Sequence, residues 1–343
     1  MDKIEIIPPS TISLLTTFQC TSSCKNCCFG SNPAFKEKMT LKQMKQYVDK
    51  SLDAYGKSLV VLVLTGGECF LLGQSLSKII NYASNKGLIV RVVTNGYWAK
   101  SYAIAYKKLK HLIDFGLKEI NFSTGDDHLE WVPYDNIVYG CMAAVELGIT
   151  CVVNVEQHDN SVFKAEQLQK DERLISYFEK SKKENSIFFV ASSLWIKFDK
   201  DSDISYNKLL TIKEIASGCK SLFSTIVINP YAQMIACCGL TSEQILPMRL
   251  GDVTRNDITT LYSSQFDDFL KIWLFVEGPM NVLKYVYQKR NIPFTTIIGH
   301  ACDICAEIFK DPENISILRK HYKEIIFKIL LKYSLIVKTL KIR

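Results

Sequence analysis

The sequence lacks the features of a membrane-spanning or secreted chain. Its 343 residues contain no run of about 18 or more uninterrupted apolar side chains, which argues against a transmembrane span. The N-terminus has no basic and apolar signal peptide. In a chain without such a signal, 12 cysteines indicate metal or redox chemistry more often than disulfides. We therefore expect a cytoplasmic protein.

The excess of basic over acidic residues is confined to one segment near the C-terminus. The formal net charge is +7, and the segment 319–343 alone holds eight Lys and Arg against the single acid Glu324. The rest of the chain is close to neutral, whereas nucleic-acid-binding domains usually carry a basic face. We therefore expect no nucleic-acid partner. The basic residues of this segment are Arg319, Lys320, Lys323, Lys328, Lys332, Lys338, Lys341 and Arg343.

Short β-branched runs alternate with helical periodicity over the first 200 residues or so. Near-continuous apolar strands joined by helices predict a parallel sheet covered by helices. Six such units predict an α/β fold with a partial (β/α)6 TIM-like barrel. Thr40 is expected to cap the first helix, 41–54. The predicted strands are 11–17, 59–64, 88–94, 118–123, 149–155 and 187–192.

Unusual residues follow five of the six predicted strands. In α/β barrels the chemistry gathers at the carboxyl ends of the strands, so these residues are candidates for a common site. They are Cys20 after the first strand, Gly66, Gly67 and Glu68 after the second, Asn95 after the third, Ser123 at the end of the fourth and Asn154 near the end of the fifth.

The loop after the first strand carries three thiols, Cys20, Cys24 and Cys27. A closed zinc site or a fully ligated iron-sulfur cluster takes four protein ligands. The spacing therefore predicts either a fourth ligand from elsewhere or an open metal position. The neighbouring Cys28 is expected to be a packing residue, as are Cys69, Cys141 and Cys151.

Beyond about residue 215 the alternation stops and four more thiols occur as a second set, Cys219, Cys237, Cys302 and Cys305. The segment 226–238 reads as a hairpin with its turn at 229–232. Four thiolates suit zinc or an iron-sulfur cluster about equally on spacing alone. We expect a first domain over 1–215, a small metal-binding domain over 216–312 and a basic amphipathic C-terminal helix over 313–343.

Three motifs in this order resemble the radical S-adenosylmethionine (SAM) enzymes. They are the Cys20-x3-Cys24-x2-Cys27 loop, Thr65-Gly66-Gly67-Glu68 and Thr94-Asn95-Gly96, and the resemblance covers residues 11 to about 195. It implies that the three thiols hold a [4Fe-4S] cluster whose open iron binds SAM. It also implies cofactor contacts from Gly66, Gly67, Glu68, Asn95, Ser123 and Asn154. The family often has an aromatic residue where this chain has Asn26.

The second set of thiols resembles the twitch-type auxiliary-cluster domain of part of this superfamily, which implies one further [4Fe-4S] cluster. Within the superfamily the chain is most similar to peptide epimerases, which convert L-residues to D-residues in ribosomally made peptides. The doubled Cys237-Cys238 carries this resemblance, together with Cys27-Cys28 and the spacing from Ser123 to His128. It implies that Cys238 returns a hydrogen atom to the substrate.

The resemblance implies a ribosomally made precursor peptide as substrate and a flavodoxin- or ferredoxin-like electron donor. The alternatives are another radical SAM reaction, such as crosslinking or dehydrogenation of a peptide or small molecule, and a non-enzymatic zinc protein. Only residues 1–10 precede the first predicted strand, so no fused N-terminal peptide-recognition domain is expected. The basic C-terminal helix is expected to dock on the auxiliary domain, with a peripheral membrane contact or an acidic leader peptide as alternatives.

Overall fold

The computed structural model describes residues 4–184, 186–194, 196–198, 217–294 and 300–342. Nine strands form one sheet in the order β6-β5-β4-β3-β2-β1-β7-β8-β9. The pairs from β1 to β6 are all parallel. These strands are β1 (Thr11–Leu15), β2 (Val61–Thr65), β3 (Ile89–Thr94), β4 (Leu117–Thr124), β5 (Thr150–Gln157) and β6 (Phe188–Leu194). The predicted α/β fold with a partial barrel is confirmed.

Helices connect these strands and cover the outer face of the sheet. Alternation along β2 buries Leu62 and Leu64 completely, which is the pattern expected when one face packs against helices. The first helix begins after Thr40, whose side chain accepts the backbone N–H of Gln43 in a capping box. The helices are α1 (Leu41–Tyr55), α2 (Gln74–Asn85), α3 (Tyr102–Asp114), α4 (Asp126–Leu129), α5 (Tyr134–Glu146), α6 (Ala165–Gln169) and α7 (Glu172–Lys183).

The predicted hairpin extends the same sheet. Its strands are β7 (Leu222–Ile228) and β8 (Gln233–Cys237), and β9 (Arg249–Asp252) pairs with β8. β7 lies parallel to β1, with Thr225 opposite Thr11. The sheet is therefore continuous between the two parts of the chain that carry the thiols. The expected boundary between 215 and 216 lies outside the described residues, and the division into domains stays a prediction.

The rest of the described chain is helical. The expected single helix over 313–343 is divided in two at a 3-10 turn, Tyr322–Glu324. There the carboxylate of Glu324 accepts the hydroxyl of Tyr285 at 3.1 Å, which ties the turn to α9. None of the helices in the described ranges is long and apolar enough to cross a membrane. They are α8 (Ile258–Ser264), α9 (Phe269–Lys289), α10 (Ala301–Lys310), α11 (Pro312–His321) and α12 (Ile326–Ile342).

Candidate iron-sulfur and cofactor site

The loop between β1 and α1 brings Cys20, Cys24 and Cys27 together. The backbone N–H of Cys27 donates to the carbonyl of Cys24 at 3.3 Å, and that of Cys20 donates to Asn32 at 3.1 Å. All three thiols are half-buried. Burial, followed by the charges of Glu156, Cys27 and Cys20, raises the pKa of Cys24. The three thiols therefore lie close to one another, as a shared metal group requires.

Gly66 and Gly67 let the end of β2 run against this loop. The N–H of Gly67 donates to the carbonyl of Thr17 at 2.6 Å. A Cβ atom on Gly67 would lie 2.2 Å from the carbonyl oxygen of Gln19, and one on Gly66 would lie 2.4 Å from that of Thr17. Gly66 also has a positive φ of 123°, which glycine tolerates best. The glycines thus have a packing role, and their predicted contact with SAM stays a prediction.

Glu68 is buried and links the loops after β2 and β3. Its carboxylate accepts the backbone N–H groups of Phe70 and Asn95, each at 2.9 Å, and the hydroxyl of Thr94. Burial raises the pKa of Glu68 to about 7, and these hydrogen bonds oppose the shift. The carboxylate therefore has protein partners of its own. The predicted contact of Glu68 with the ammonium group of SAM stays a prediction.

Asn95 fastens the cysteine loop to the end of β3. Its side-chain amide nitrogen lies 3.6 Å from the sulfur of Cys20. The same nitrogen lies 3.1 Å from the hydroxyl of Thr21 and 3.0 Å from that of Ser22. The structure thus shows Asn95 in contact with a predicted iron ligand, and its predicted contact with the cofactor stays a prediction.

Ser123 and Asn154 are directly opposite each other on β4 and β5. Both are partly exposed, as a contact with a bound molecule requires. Beside them the ring nitrogen Nδ1 of His128 lies 2.9 Å from the carboxylate of Glu156. Gly125 makes room for this pair, since a Cβ atom there would lie 1.8 Å from Cγ of Glu156. Sequence reasoning missed Glu156, whose only signal was its position two residues after Asn154.

Asn26 joins the cysteine loop to α4, the short helix that follows β4. Its backbone and side-chain N–H groups donate to the carboxylate of Asp127 at 2.9 and 3.1 Å. The side-chain oxygen Oδ1 of Asn26 accepts the backbone N–H of Phe198 at 3.0 Å. The polar residue at this position thus makes contacts that an aromatic side chain could not.

No protein-family model matches the chain. A curated relative from Bacillus subtilis (strain 168), named "Putative peptide biosynthesis protein YydG", is 24% identical over 127 residues, which are 37% of this chain and 39% of the relative. The match thus spans well under half of the relative's length. Streptococcus suis SuiB bound to S-adenosylmethionine aligns with a TM-score of 0.46 at 12% identity, over 81% of this chain and 73% of SuiB. Native anSMEcpe with bound AdoMet aligns with a TM-score of 0.48 at 10% identity, over 94% of this chain and 100% of that chain.

The three motifs that carry the family resemblance follow β1, β2 and β3 and contact one another through Gly67, Glu68 and Asn95. This arrangement of the three motifs agrees with the predicted resemblance to the radical SAM enzymes. The radical SAM loop is hereafter the segment from Cys20 to Cys27.

The second set of thiols is also assembled. A Cβ atom added to Gly239 would lie 3.1 Å from the sulfur of Cys302 and 3.4 Å from that of Cys237. Burial, followed by the charges of Cys237, Cys219 and Cys302, raises the pKa of Cys305. The structure therefore brings the four predicted residues together, around a space that glycine keeps free.

A kink in α9 positions Cys219. Gly278 has a φ of 78° inside the helix, and a Cβ atom on it would lie 2.0 Å from the carbonyl of Ser217. The backbone N–H of Cys219 donates to the carbonyl of Leu274 at 3.0 Å. Sequence reasoning missed this device, although Gly278-Pro279 within an apolar helical run was a signal for a kink.

Lys271 is a buried cation beside this set. It forms an ion pair with Asp268, and its charge opposes the rise in the pKa of Cys305. A cation favours the thiolate form, which is the form that binds metals.

Among the described residues, no three Cys, His, Asp or Glu side chains are arranged around a single metal ion. A cluster requires a wider spacing, because each thiolate binds a different iron.

Cys238 is exposed and adjoins the second set. It follows Cys237, which pairs with Leu222 at the start of β7. The radical SAM loop lies after the end of β1. The two thiol sets approach each other at Cys28. Burial raises the pKa of Cys28 most, followed by the charge of Cys27, and the charge of Cys302 adds a smaller rise. The side chain of Gln244 donates to the carbonyl of Cys28 at 3.3 Å. Cys69, Cys141 and Cys151 are buried, as predicted.

Proposed function

We propose that this chain is a radical SAM enzyme that modifies a peptide. The observation that carries the proposal is the radical SAM loop, with three thiols held together and Asn95 donating to the first of them. Three thiolates are one fewer than a closed cluster site requires, so one iron is left for SAM. The similarity to a relative named as a peptide biosynthesis protein supports a peptide substrate.

The residues present fit this cofactor set. Cys20, Cys24 and Cys27 would hold the first [4Fe-4S] cluster, and the second set of thiols would hold an auxiliary cluster in the space beside Gly239. When bound, the cluster and SAM supply a 5'-deoxyadenosyl radical that removes a hydrogen atom from the substrate. Ser123 and Asn154, opposite each other on β4 and β5, are available to orient SAM.

A cavity beside the radical SAM loop supports a substrate of peptide size. Its volume is about 880 Å³, and Cys27, Cys28, Tyr231 and Arg249 are among its lining residues. Ligand pockets commonly have volumes of about 300–1,000 Å³. The cavity combines aromatic and charged side chains, which suits a peptide with both backbone and side-chain contacts.

The specific reaction that we propose is epimerisation of an L-residue to a D-residue. Cys238 is an exposed thiol next to a predicted ligand and outside the ligand set. Its S–H bond breaks and the hydrogen atom forms a new C–H bond on the opposite face of the substrate Cα. The thiyl radical left on Cys238 then takes up one electron from a flavodoxin- or ferredoxin-like carrier and one proton from solvent. A thiol suits this step because its S–H bond is weak.

Anaerobic reconstitution tests the cofactor assignment. Iron, sulfide and zinc analysis should show two clusters per chain, and dithionite-reduced protein should cleave SAM to 5'-deoxyadenosine. The Cys24→Ala variant should retain iron at the second set of thiols and lose SAM cleavage. A colourless protein that contains zinc would refute both the radical SAM function and the peptide reaction.

Reaction in D2O with the peptide encoded nearby tests the specific reaction. Epimerisation should place one deuterium at Cα in each product molecule, and the Cys238→Ala variant should give none of this product. Cys141→Ala is the control, because it removes a buried thiol that does not line the cavity, and it should still form product. A product lighter by two hydrogen atoms would indicate crosslinking or oxidation instead.

A further inference from the structure

We propose that α12 docks the protein onto a membrane surface that contains anionic lipids. This helix, Ile326–Ile342, is held firmly against the body of the protein along one side. Ile329, Tyr333 and Val337 are buried there, and the hydroxyl of Tyr333 donates to the backbone carbonyl of Glu5. Packing of this buried side stabilises the helix, but it does not account for the residues on the opposite side.

The opposite side carries a row of exposed apolar residues. Phe327, Leu331 and Leu335 are 80%, 53% and 57% exposed. Residues four apart lie above one another on a helix, so the three side chains form a continuous stripe. Single exposed apolar residues are ordinary on protein surfaces, but a contiguous row indicates an interaction surface.

The charges around the stripe are positive. The helix contains four lysines, Lys328, Lys332, Lys338 and Lys341, and no acidic residue. Lys328 and Lys332 both contact the single carboxylate of Glu277, at 3.1 and 2.7 Å. One carboxylate compensates only one of the two charges. An apolar stripe among uncompensated lysines complements the headgroup region of an anionic bilayer.

A second copy of the chain fits this stripe less well than a lipid surface does. A helix pair packs along positions that alternate three and four residues apart. Starting from Phe327, such a seam would contain Leu331, Ser334 and Lys338, and half of these positions are polar. The observed spacing of four and four gives a stripe that suits a planar apolar layer. No helix in the described ranges could cross the bilayer, so the contact would be peripheral.

Sedimentation with lipid vesicles tests this proposal on the full, cluster-loaded chain. The protein should sediment with vesicles of phosphatidylcholine and phosphatidylglycerol, and not with phosphatidylcholine alone, and salt should weaken the binding. The affinity of the double variant Leu331→Gln/Leu335→Gln for the mixed vesicles should be at least about tenfold lower than that of the parent. Val162→Gln, which alters an 84% exposed residue elsewhere, should bind as the parent does.

Several outcomes would overturn the proposal. They are the absence of sedimentation, equal binding to both kinds of vesicle, and parent-like binding by the double variant. A concentration-dependent dimer that the double variant abolishes would assign the stripe to a second copy instead. Because the substituted leucines are exposed, the thermal unfolding of the double variant should match that of the parent. Its cleavage of SAM should also be unchanged, so this test is independent of the proposed reaction.

Discussion

The side-chain amide of Asn95 donates a hydrogen bond to the sulfur of Cys20 over 3.6 Å, although 74 residues separate them in sequence. Asn95 stands at the end of β3 and Cys20 just after β1, so the contact crosses the end of β2. Hydrogen bonds to cluster sulfurs stabilise the more negative, reduced state of an iron-sulfur cluster. The proposed first cluster would therefore be tuned by a residue that does not bind iron.

The Asn95→Ala variant should lower the reduction potential of the first cluster. Loss of one donor to sulfur should shift the potential to more negative values by on the order of tens of millivolts. A redox titration followed by electron paramagnetic resonance measures this shift. Asn85→Ala is the control, since the side chain of the exposed Asn85 bonds only to Asn81 in the described contacts. An unchanged potential in a variant with full iron content would show that the hydrogen bond has no electronic effect.

The Gly239→Ala variant should lose the auxiliary cluster and keep the first. The added methyl group would lie 3.1 Å from the sulfur of Cys302 and 3.4 Å from that of Cys237, and sulfurs bound to iron could not move away. Iron and sulfide analysis should fall from two clusters per chain to one, while SAM cleavage continues. Gly148→Ala adds a methyl group in open space at a φ of 72°, so it should lose some stability and still retain both clusters. Two clusters in Gly239→Ala would contradict the assignment.

Ala232→Gly should leave stability unchanged or raise it by up to about 1 kcal/mol. Ala232 lies in the hairpin turn with a φ of 60°, a left-handed conformation that costs an L-residue about 1–2 kcal/mol. Glycine avoids this cost but loses about 0.5–1 kcal/mol through greater freedom in the unfolded chain. Urea unfolding measures the difference. Ala236→Gly, within the regular strand β8, should instead destabilise, and a loss of stability in both variants would contradict the strain at 232.

The pair His128–Glu156 should make stability depend on pH. Burial lowers the pKa of His128, but the charge and hydrogen bond of Glu156 outweigh this effect, so the pKa is raised. The pair therefore stabilises the fold fully below the unfolded histidine value of about 6.5, and this stability is lost as the pH rises through the folded pKa. The midpoint of urea unfolding should fall as the pH is raised from about 6 to about 9. The decline should be smaller in His128→Gln and unchanged in His111→Gln, which alters an exposed histidine.

Much of the fold could be predicted because its signals are local. The six parallel strands agree with the predicted runs to within two residues at each end, since buried parallel strands are near-continuous apolar segments. The cap at Thr40 and the turn at 229–232 were also readable, because each depends on a few adjacent side chains. The order of the motifs along the chain then placed the cysteine loop and the glycine pair at one edge of the sheet.

The remaining features depend on contacts between distant segments. The pairing of β7 with β1 has no local signature, because any apolar strand could occupy that edge. The partners of Glu68 were unpredictable for the same reason, since they lie on two different loops. The division of the C-terminal helix depends on Glu324 meeting Tyr285, which a helical periodicity does not reveal.

The pairing of β1 with β7 also bears on how the chain could change during evolution. The position of Cys237 relative to the radical SAM loop is governed by hydrogen bonds between adjacent strands, from β1 to β7 and from β7 to β8. Changes in chain length before Cys219 would leave this pairing, and with it the distance from Cys237 to the radical SAM loop, unchanged. A family built on this sheet could therefore acquire new substrate-recognition segments there without retuning its redox chemistry.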